Sequence, residues 1–473
     1  MKESKEAPTI HRAVPDLATN EQMFEWAKDI VEITLKHKEF RRFGTPGDVE
    51  AREYIVEKLQ SFGMSSVEMQ EYDAVYRHHE SWELVVNGEK IPSYFMNGAS
   101  FTGEKGVQGE LVYVGEVIPS DVDFTGKIVV FELRGQSIPG SMVHLTSDFV
   151  YDPDGKMAKG TLGGKAGPIP ANNPIPYYKA AAQGAVGMIA ILKDLDTGTD
   201  KFFSDPSGKV QERMPAHLIG KYVGEELVGE ILASETPLVA TLKTIGEVCQ
   251  GKSANIVATL DGEKPETIIV NTHHDSAFAG ATQDAGGVAG VMGLAQYFAN
   301  VPSNFRQKTM VFVFDGSHFD WHYPHGANKF AEMNPNVMKN AVLAFGYEHI
   351  ALAVKATKDG YQLTGDVEPR FLFVPRNQVL FDAAKRAIVK HNVHELVITN
   401  NGAIPFFGET QSYMLMGIPS FSLISGPEYL FLADDTLDKI AKDQFRPTTS
   451  MFIDIINVGM NMPRFWLEVI DKQ

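Results

Sequence analysis

The chain has 473 residues, with 43 basic against 60 acidic side chains and a formal net charge of −17. That balance argues against nucleic acid or an anionic membrane as a main partner, and no apolar run reaches the length needed to span a bilayer. One cysteine, Cys249, rules out an internal disulfide framework; the length calls for two to three structural units; and the polar start Met1-Lys2-Glu3-Ser4, with no signal peptide, reads as a cytoplasmic protein, a reading that a trimmed leader would mimic.

Residues 1 to about 20 read as an extended arm, and Glu21 to Leu35 has helical periodicity. The turn Arg41-Arg42-Phe43-Gly44-Thr45-Pro46-Gly47-Asp48 feeds a second helix through Glu50, Tyr54, Ile55 and Leu59 that stops at Gly63. Ser66 to Tyr72 alternates as a strand. From about Gly98 to Thr241 short strands and many glycines take over, with strands predicted at 109–115 and 124–135 and a helix from Tyr178 packed before a buried strand ending at Leu192. Ser137 to Asn173 is rich in Gly and Pro, and a loop of that length is a lid or disordered. Asn255 to Leu260 returns to a main sheet. Thr267-Ile268-Ile269-Val270 is then a buried strand, and a helix follows at 288–298. Lys308 to Phe314 and Ala341 to Phe345 read as further strands, the latter ending at Tyr347-Glu348-His349. Met414, Leu415 and Met416 read as core. There are no internal repeats.

The stretch that organises the rest comes after the strand at 267–270: Asn271-Thr272-His273-His274-Asp275-Ser276, then the glycine-rich turn Gly280-Ala281-Thr282-Gln283-Asp284-Ala285-Gly286-Gly287. In open α/β sheets ligands sit beyond the carboxyl ends of the strands. A His-x-Asp placed there is a metal ligand with a carboxylate that fixes the ring's tautomer. A lone His-x-Asp is more often a solvated turn; the strand–turn–helix setting is what shifts the reading.

This segment resembles the strand–loop–helix of the co-catalytic zinc aminopeptidases, the family that includes glutamate carboxypeptidase and the transferrin receptor. The resemblance extends to the turn Arg42-Phe43-Gly44-Thr45-Pro46-Gly47, which is similar to the family's Arg-Phe-x-Gly-x-x-Gly turn but one residue shorter, and to Gly417-Ile418-Pro419. It implies a three-layer α/β sandwich with a mixed, mainly parallel sheet, plus a β-rich protease-associated domain inserted at 98–245. The peptidase-like domain is then made of residues 1–97 and 246–473, and the inserted domain would roof the site or bind partners. Large members dimerise, so the resemblance also allows a homodimer.

The family's site needs five ligands and a base. Carried over position by position, His273 falls on the first ligand and Asp275 on its orienting partner. Gln283 stands where the bridging Asp belongs, with Asp284 beside it. The adjacent base and ligand fall on Ser317 and His318, the next acidic ligand on Glu348, and the last histidine on Phe431. A standard two-zinc site is therefore not expected.

Two readings stay open. In the first the site is rebuilt: six of the 14 histidines (His273, His274, His318, His322, His325 and His349) lie in or beside the loops that the fold would bring together. His273, Glu348 and His318, completed by Asp284 or water, have the ligand types for one divalent transition metal, zinc, iron or manganese. His318, Asp320, His322 and His325, with Tyr323, are the acid/base candidates, and His274 and His349 line the site. Such a site would hydrolyse an amide or related bond in a peptide or small molecule, or catalyse a lyase-type step. In the second reading the site is vestigial and the chain is a binding or scaffold protein. The run His-x-Asp-x-His-x-x-His from His318 favours the first. Ser317 lacks a nucleophile elbow and reads as a loop hydroxyl. Phe319, Trp321 and Tyr323 either wall a substrate pocket or pack as core.

Overall fold

The structure is a computed structural model, and it describes residues 16–37, 40–135, 138–139, 145–157, 161–162, 175–203, 212–319, 326–399 and 406–468. Its first helix, Asn20–Lys36, is set by a reciprocal cap. Thr19 Oγ1 accepts from the Gln22 N–H, and Gln22 Oε1 accepts from the Thr19 N–H. The second helix, Pro46–Ser61, starts on Thr45 with proline in its first turn, where no N–H is needed.

Among the described residues one mixed sheet of 15 strands runs through the molecule. Its centre is a parallel set: Lys308–Asp315, Lys264–His273, Ala341–Tyr347 and Ser420–Ser425. These strands are buried on both faces, so they read as continuous apolar runs. On one face the helix Gly286–Ala299 is apolar almost all round, because it lies between the sheet and the helices Asn20–Lys36 and Phe445–Asn461. A Cβ at Gly290 would come 2.3 Å from the Tyr347 ring, so only glycine lets this helix approach so closely.

The second part has its own parallel run, Val107–Gly115, Lys127–Leu133, Gly187–Leu192 and Ala216–Gly220, with helices Ile175–Ala182 and Lys221–Ala233 packed on it. It is an α/β layer rather than a purely β-rich one. It also recruits Tyr94–Phe95, which precedes the expected start at residue 98. The boundary expected at 245/246 falls inside a strand. Ser66–Val86, expected as a short strand to Tyr72, and Val239–Leu260 form a long antiparallel ribbon that belongs to both parts. Its register shifts between Ile245 and Gly246.

Within the loop expected at 137–173, Ser147–Tyr151 is a strand that pairs with Leu396–Thr399 at the edge of the main sheet. Most of the remainder of that loop lies outside the described residues. The expectation for Met414–Met416 fails: Leu415 is 75% and Met416 48% exposed, and Tyr413 fills the core instead. No helix among the described residues is long and apolar enough to cross a membrane.

Candidate metal centre

Each central parallel strand ends in a residue that chemistry can use. His273 closes Lys264–His273 and is paired in register with Asp315, the last residue of Lys308–Asp315. Gly316, Ser317, His318 and Phe319 come after that second strand, and Glu348 and His349 come after Ala341–Tyr347. Ser317, His349 and Phe431 all take left-handed backbone angles, with φ of 64°, 55° and 64°. Three non-glycine residues held in this sparsely populated region flank one site, where such strain typically gathers.

The His273 ring is oriented by Asp275, two residues further along the chain. Nδ1 donates to the Asp275 carbonyl at 2.9 Å and lies 3.5 Å from Asp275 Oδ1, so Nε2 carries the lone pair. The Gln283 side-chain amide meets that Nε2 at 3.0 Å. Burial alone would raise Asp275, but hydrogen bonding to His273, with the charges of His273, His318 and His274, holds it well below the usual carboxylate range. Its other oxygen accepts the Phe319 N–H at 2.9 Å and so ties the next loop to the same group. The His318 ring lies 4.1 Å from that of His273 and within 11° of parallel.

His318 Nδ1 is paired with Glu409 Oε1. The Glu409 backbone N–H in turn donates to Glu348 Oε1 at 2.9 Å. His349 Nδ1 donates to the Ser425 carbonyl at 2.6 Å, and its buried Nε2 has no hydrogen-bond partner among the described residues. Burial pushes His349 down to about 3, so the ring is neutral with a lone pair on Nε2. The outcome is two overlapping donor groups that share His273. They are His273–His318–Glu409 and His273–Glu348–His349, and in each the donor atoms lie within 4.8 Å of one another.

Charge makes the same point. Burial, then the neighbouring Glu409, pushes both Asp315 and Glu348 well above the usual carboxylate range. Carboxylates gathered out of water without enough cations must take up protons or a metal ion. Histidines with one nitrogen committed to a carbonyl or carboxylate and the other free for a ligand are a donor set for a transition-metal ion, so the residues fit divalent metal binding.

Several expected roles change. Asp284 joins neither donor group: its carboxylate accepts from the Thr272 hydroxyl, from Gly287 N–H at 3.0 Å and from His349 N–H at 3.2 Å. It anchors the loops, and burial pushes it up to about 6. His274 also stands outside the donor groups. Its Nε2 is 3.1 Å from the Ala254 carbonyl and its Nδ1 faces Asp48 at 3.5 Å. Gln283 stays beside His273 with its Oε1 unpartnered among the described residues. Ser317 Oγ accepts from Tyr72 at 3.1 Å, a structural hydroxyl. Phe431 and Phe319 are buried, with ring centroids 5.7 Å apart in one aromatic cluster, so Phe319 is core beside the site. Asp320, Trp321, His322, Tyr323 and His325 lie outside the described residues.

Glu409 was missed, and His349 was expected only to line the site. The signal for Glu409 was a single carboxylate in the apolar turn Phe406-Phe407-Gly408-Glu409-Thr410, next to a strand of the central sheet. The positioning group behind His273 and His274 was missed as well. Arg41, fully buried, donates to the carbonyls of His274 (2.9 Å), Ala279 (2.9 Å), Gly280 (2.7 Å) and Gln283 (3.2 Å).

Comparison with known proteins sets this geometry beside a peptidase family model and a set of similar folds. The profile of Peptidase family M28 matches residues 255–451. No curated protein matches the sequence. Among solved structures, the chain is similar to an M28 peptidase precursor from Shewanella amazonensis SB2B. That match has a TM-score of 0.67 at 18% identity and covers 94% of this chain and 96% of that one. It is also similar to BSAP, a zinc aminopeptidase from Bacillus subtilis, with a TM-score of 0.65, 17% identity and coverage of 94% and 96%. The aminopeptidase from Aneurinibacillus sp. strain AM-1 matches with a TM-score of 0.60, 20% identity and coverage of 92% and 93%. Residues 255–451 match the model of Peptidase family M28, and the chain shares the fold of the solved zinc aminopeptidases it resembles.

Proposed function

We propose that the chain is a metal-dependent peptidase or related amide hydrolase that works with one divalent transition metal, zinc by donor type, in a rebuilt site. The observation that carries this is the pair of overlapping donor groups centred on His273. His273, His349 and Glu348 would hold the ion, with His318 and Glu409 on its other side. When bound, such an ion polarises a carbonyl and acidifies a water.

The chain's own residues divide the remaining work. Asp275 fixes the His273 tautomer, and the Ser425 carbonyl fixes that of His349. Glu409, between His318 Nδ1 and the raised carboxyl of Asp315, is placed to hold and release a proton at Oε1. Phe319, buried against the His273 and His318 rings and against Phe431, gives that side of the centre an apolar wall. We read the inserted unit as a protease-associated domain that roofs the site: Phe203 packs 5.8 Å from the Phe319 ring, and its N–H donates to the Phe431 carbonyl at 2.8 Å. The substrate would be a peptide or a small amide.

A second reading, a non-catalytic binding protein, draws on Ser317 and Phe431, which occupy the positions where the resemblance places the base and a ligand. Zinc titration of the wild type and His273→Ala, with hydrolysis of a panel of dipeptides and aminoacyl amides, separates the two. The proposal expects a His273-dependent zinc together with hydrolysis that is lost in the variant. Zinc without hydrolysis across the panel would leave the binding protein; no His273-dependent zinc would remove the metalloenzyme.

A further inference from the structure

A third group of metal-type donors lies away from this centre. Asp154, His394 and Glu395 each offer a ligand atom within 4.8 Å of the others. The Asp152 carboxylate accepts the N–H groups of Lys156 and Met157, each at 2.9 Å, and the resulting turn presents Asp154 at the edge of the sheet. Across from it His394 Nδ1 lies 4.0 Å from Asp154 Oδ2.

Glu395 is the informative member. Its side chain is buried, with the residue 2% exposed, and Oε1 has no hydrogen-bond partner among the described residues. Its backbone is left-handed, at φ 46°, although it is neither glycine nor asparagine. A buried carboxylate oxygen without a partner is costly, and a strained backbone that holds it in place is the usual mark of a site. Burial pushes its pKa up in spite of His394, Lys156 and Arg370 nearby. Lys156 is shared between two carboxylates: its Nζ is 2.7 Å from Asp366 and only at ion-pair distance, 3.7 Å, from Asp154. Its shorter contact is to Asp366, so a divalent ion would compete with it for Asp154 alone.

We propose that Asp154, His394 and Glu395 form a second divalent-cation site, of the zinc type, that clasps residues 145–157 to the edge of the main sheet. One histidine and two carboxylates with an open position suit a zinc-class ion. The placement gives the ion its role. Asp154 comes from the segment just after Ser147–Tyr151, and His394 and Glu395 come from the residues just before Leu396–Thr399, the strand it pairs with. The bound ion would therefore lock the outermost strand of the sheet in register, away from the His273 centre.

The test is calorimetric titration of chelator-dialysed full-length protein with zinc chloride. The wild type is expected to take up two zinc ions per chain, and Asp154→Asn and His394→Ala one each, with unchanged circular dichroism. His273→Ala is also expected to take up one, and the pair His273→Ala/His394→Ala none. Hydrogen exchange at 147–151 and 396–399 should slow about tenfold on adding zinc to the wild type and not to Asp154→Asn. Wild-type stoichiometry in both clasp variants, or unchanged exchange at those strands, would overturn the clasp. Zinc lost with His394→Ala but kept in His273→Ala would uphold the clasp and sink the central-site reading, so the two fail separately.

Discussion

Replacing Glu409 with glutamine tests the site at the residue that sequence reasoning missed. Its carboxylate pairs with His318 Nδ1, and its backbone N–H, untouched by the change, donates to Glu348 Oε1. A carboxylate behind a metal-binding histidine raises that ring's basicity, and its loss costs about 10–100-fold in metal affinity, or roughly 1.4–2.7 kcal/mol. The protein without metal responds in the opposite sense. Glu409 is the largest charged contributor to the raised pKa values of Asp315 and Glu348, so neutralising it relieves repulsion. Two unit charges 4 Å apart carry about 4 kcal/mol at an effective dielectric of about 20, and a gain of roughly 1–2 kcal/mol is a reasonable share of that. Competition with a chromophoric chelator reads the affinity, and urea unfolding of the metal-free protein reads the stability. A residue of purely structural importance would lower both quantities. Affinity within twofold of the wild type, or a less stable metal-free variant, would refute the assignment.

Two further outcomes are set by buried charges near the site. Asp435 accepts the N–H groups of Thr282 and Gln283 at 2.8 and 2.9 Å, and burial pushes it up to about 6. A carboxyl with a raised folded-state pKa loses stability as pH climbs from its unfolded value of about 4 to its folded value. Asp435→Asn, which removes that loss, should gain about 1 kcal/mol on the wild type between pH 5 and pH 7 in urea midpoints, whatever its constant offset; a flat difference would count against the raised value. Arg41→Ala removes the donors that four loop carbonyls share and leaves a buried hole, so unfolding free energy should drop by roughly 3–5 kcal/mol with weakened zinc binding. A loss below about 1 kcal/mol would show that the loops hold themselves.

The sequence made the parallel strands and their carboxyl-end residues legible because each strand is buried on both faces and reads as an unbroken apolar run. His273, Asp275, His318 and Glu348 could be picked out because they sit immediately after such runs. The expectation of Asp284 or a water as the completing ligand was left open because a pattern of residue types does not tell which way a carboxylate faces in a tight loop; here Thr272 and two backbone N–H groups bond it. Glu409 was invisible because its partners are 61 and 91 residues away and its own surroundings carry no motif. The strand Ser147–Tyr151 was hidden for a similar reason: its pairing partner lies in another part of the chain, and a Gly- and Pro-rich neighbourhood masked its short alternation.

The long ribbon gives the molecule a mechanical axis. Near Val239 it is braced by Val107–Gly115, and from Ile256 onward by Lys308–Asp315. Between those braces Ser66–Val86 is the one strand among the described residues that pairs with Val239–Leu260, with Thr102 bonded to Thr244 beside it, and the register slips there, at Ile245/Gly246. Gly246 lies so close to its partner that a Cβ would come 2.1 Å from the His78 carbonyl. A side chain at that one position would therefore push the two strands apart where the ribbon passes from one part of the sheet to the other, without altering a single donor atom of the His273 centre.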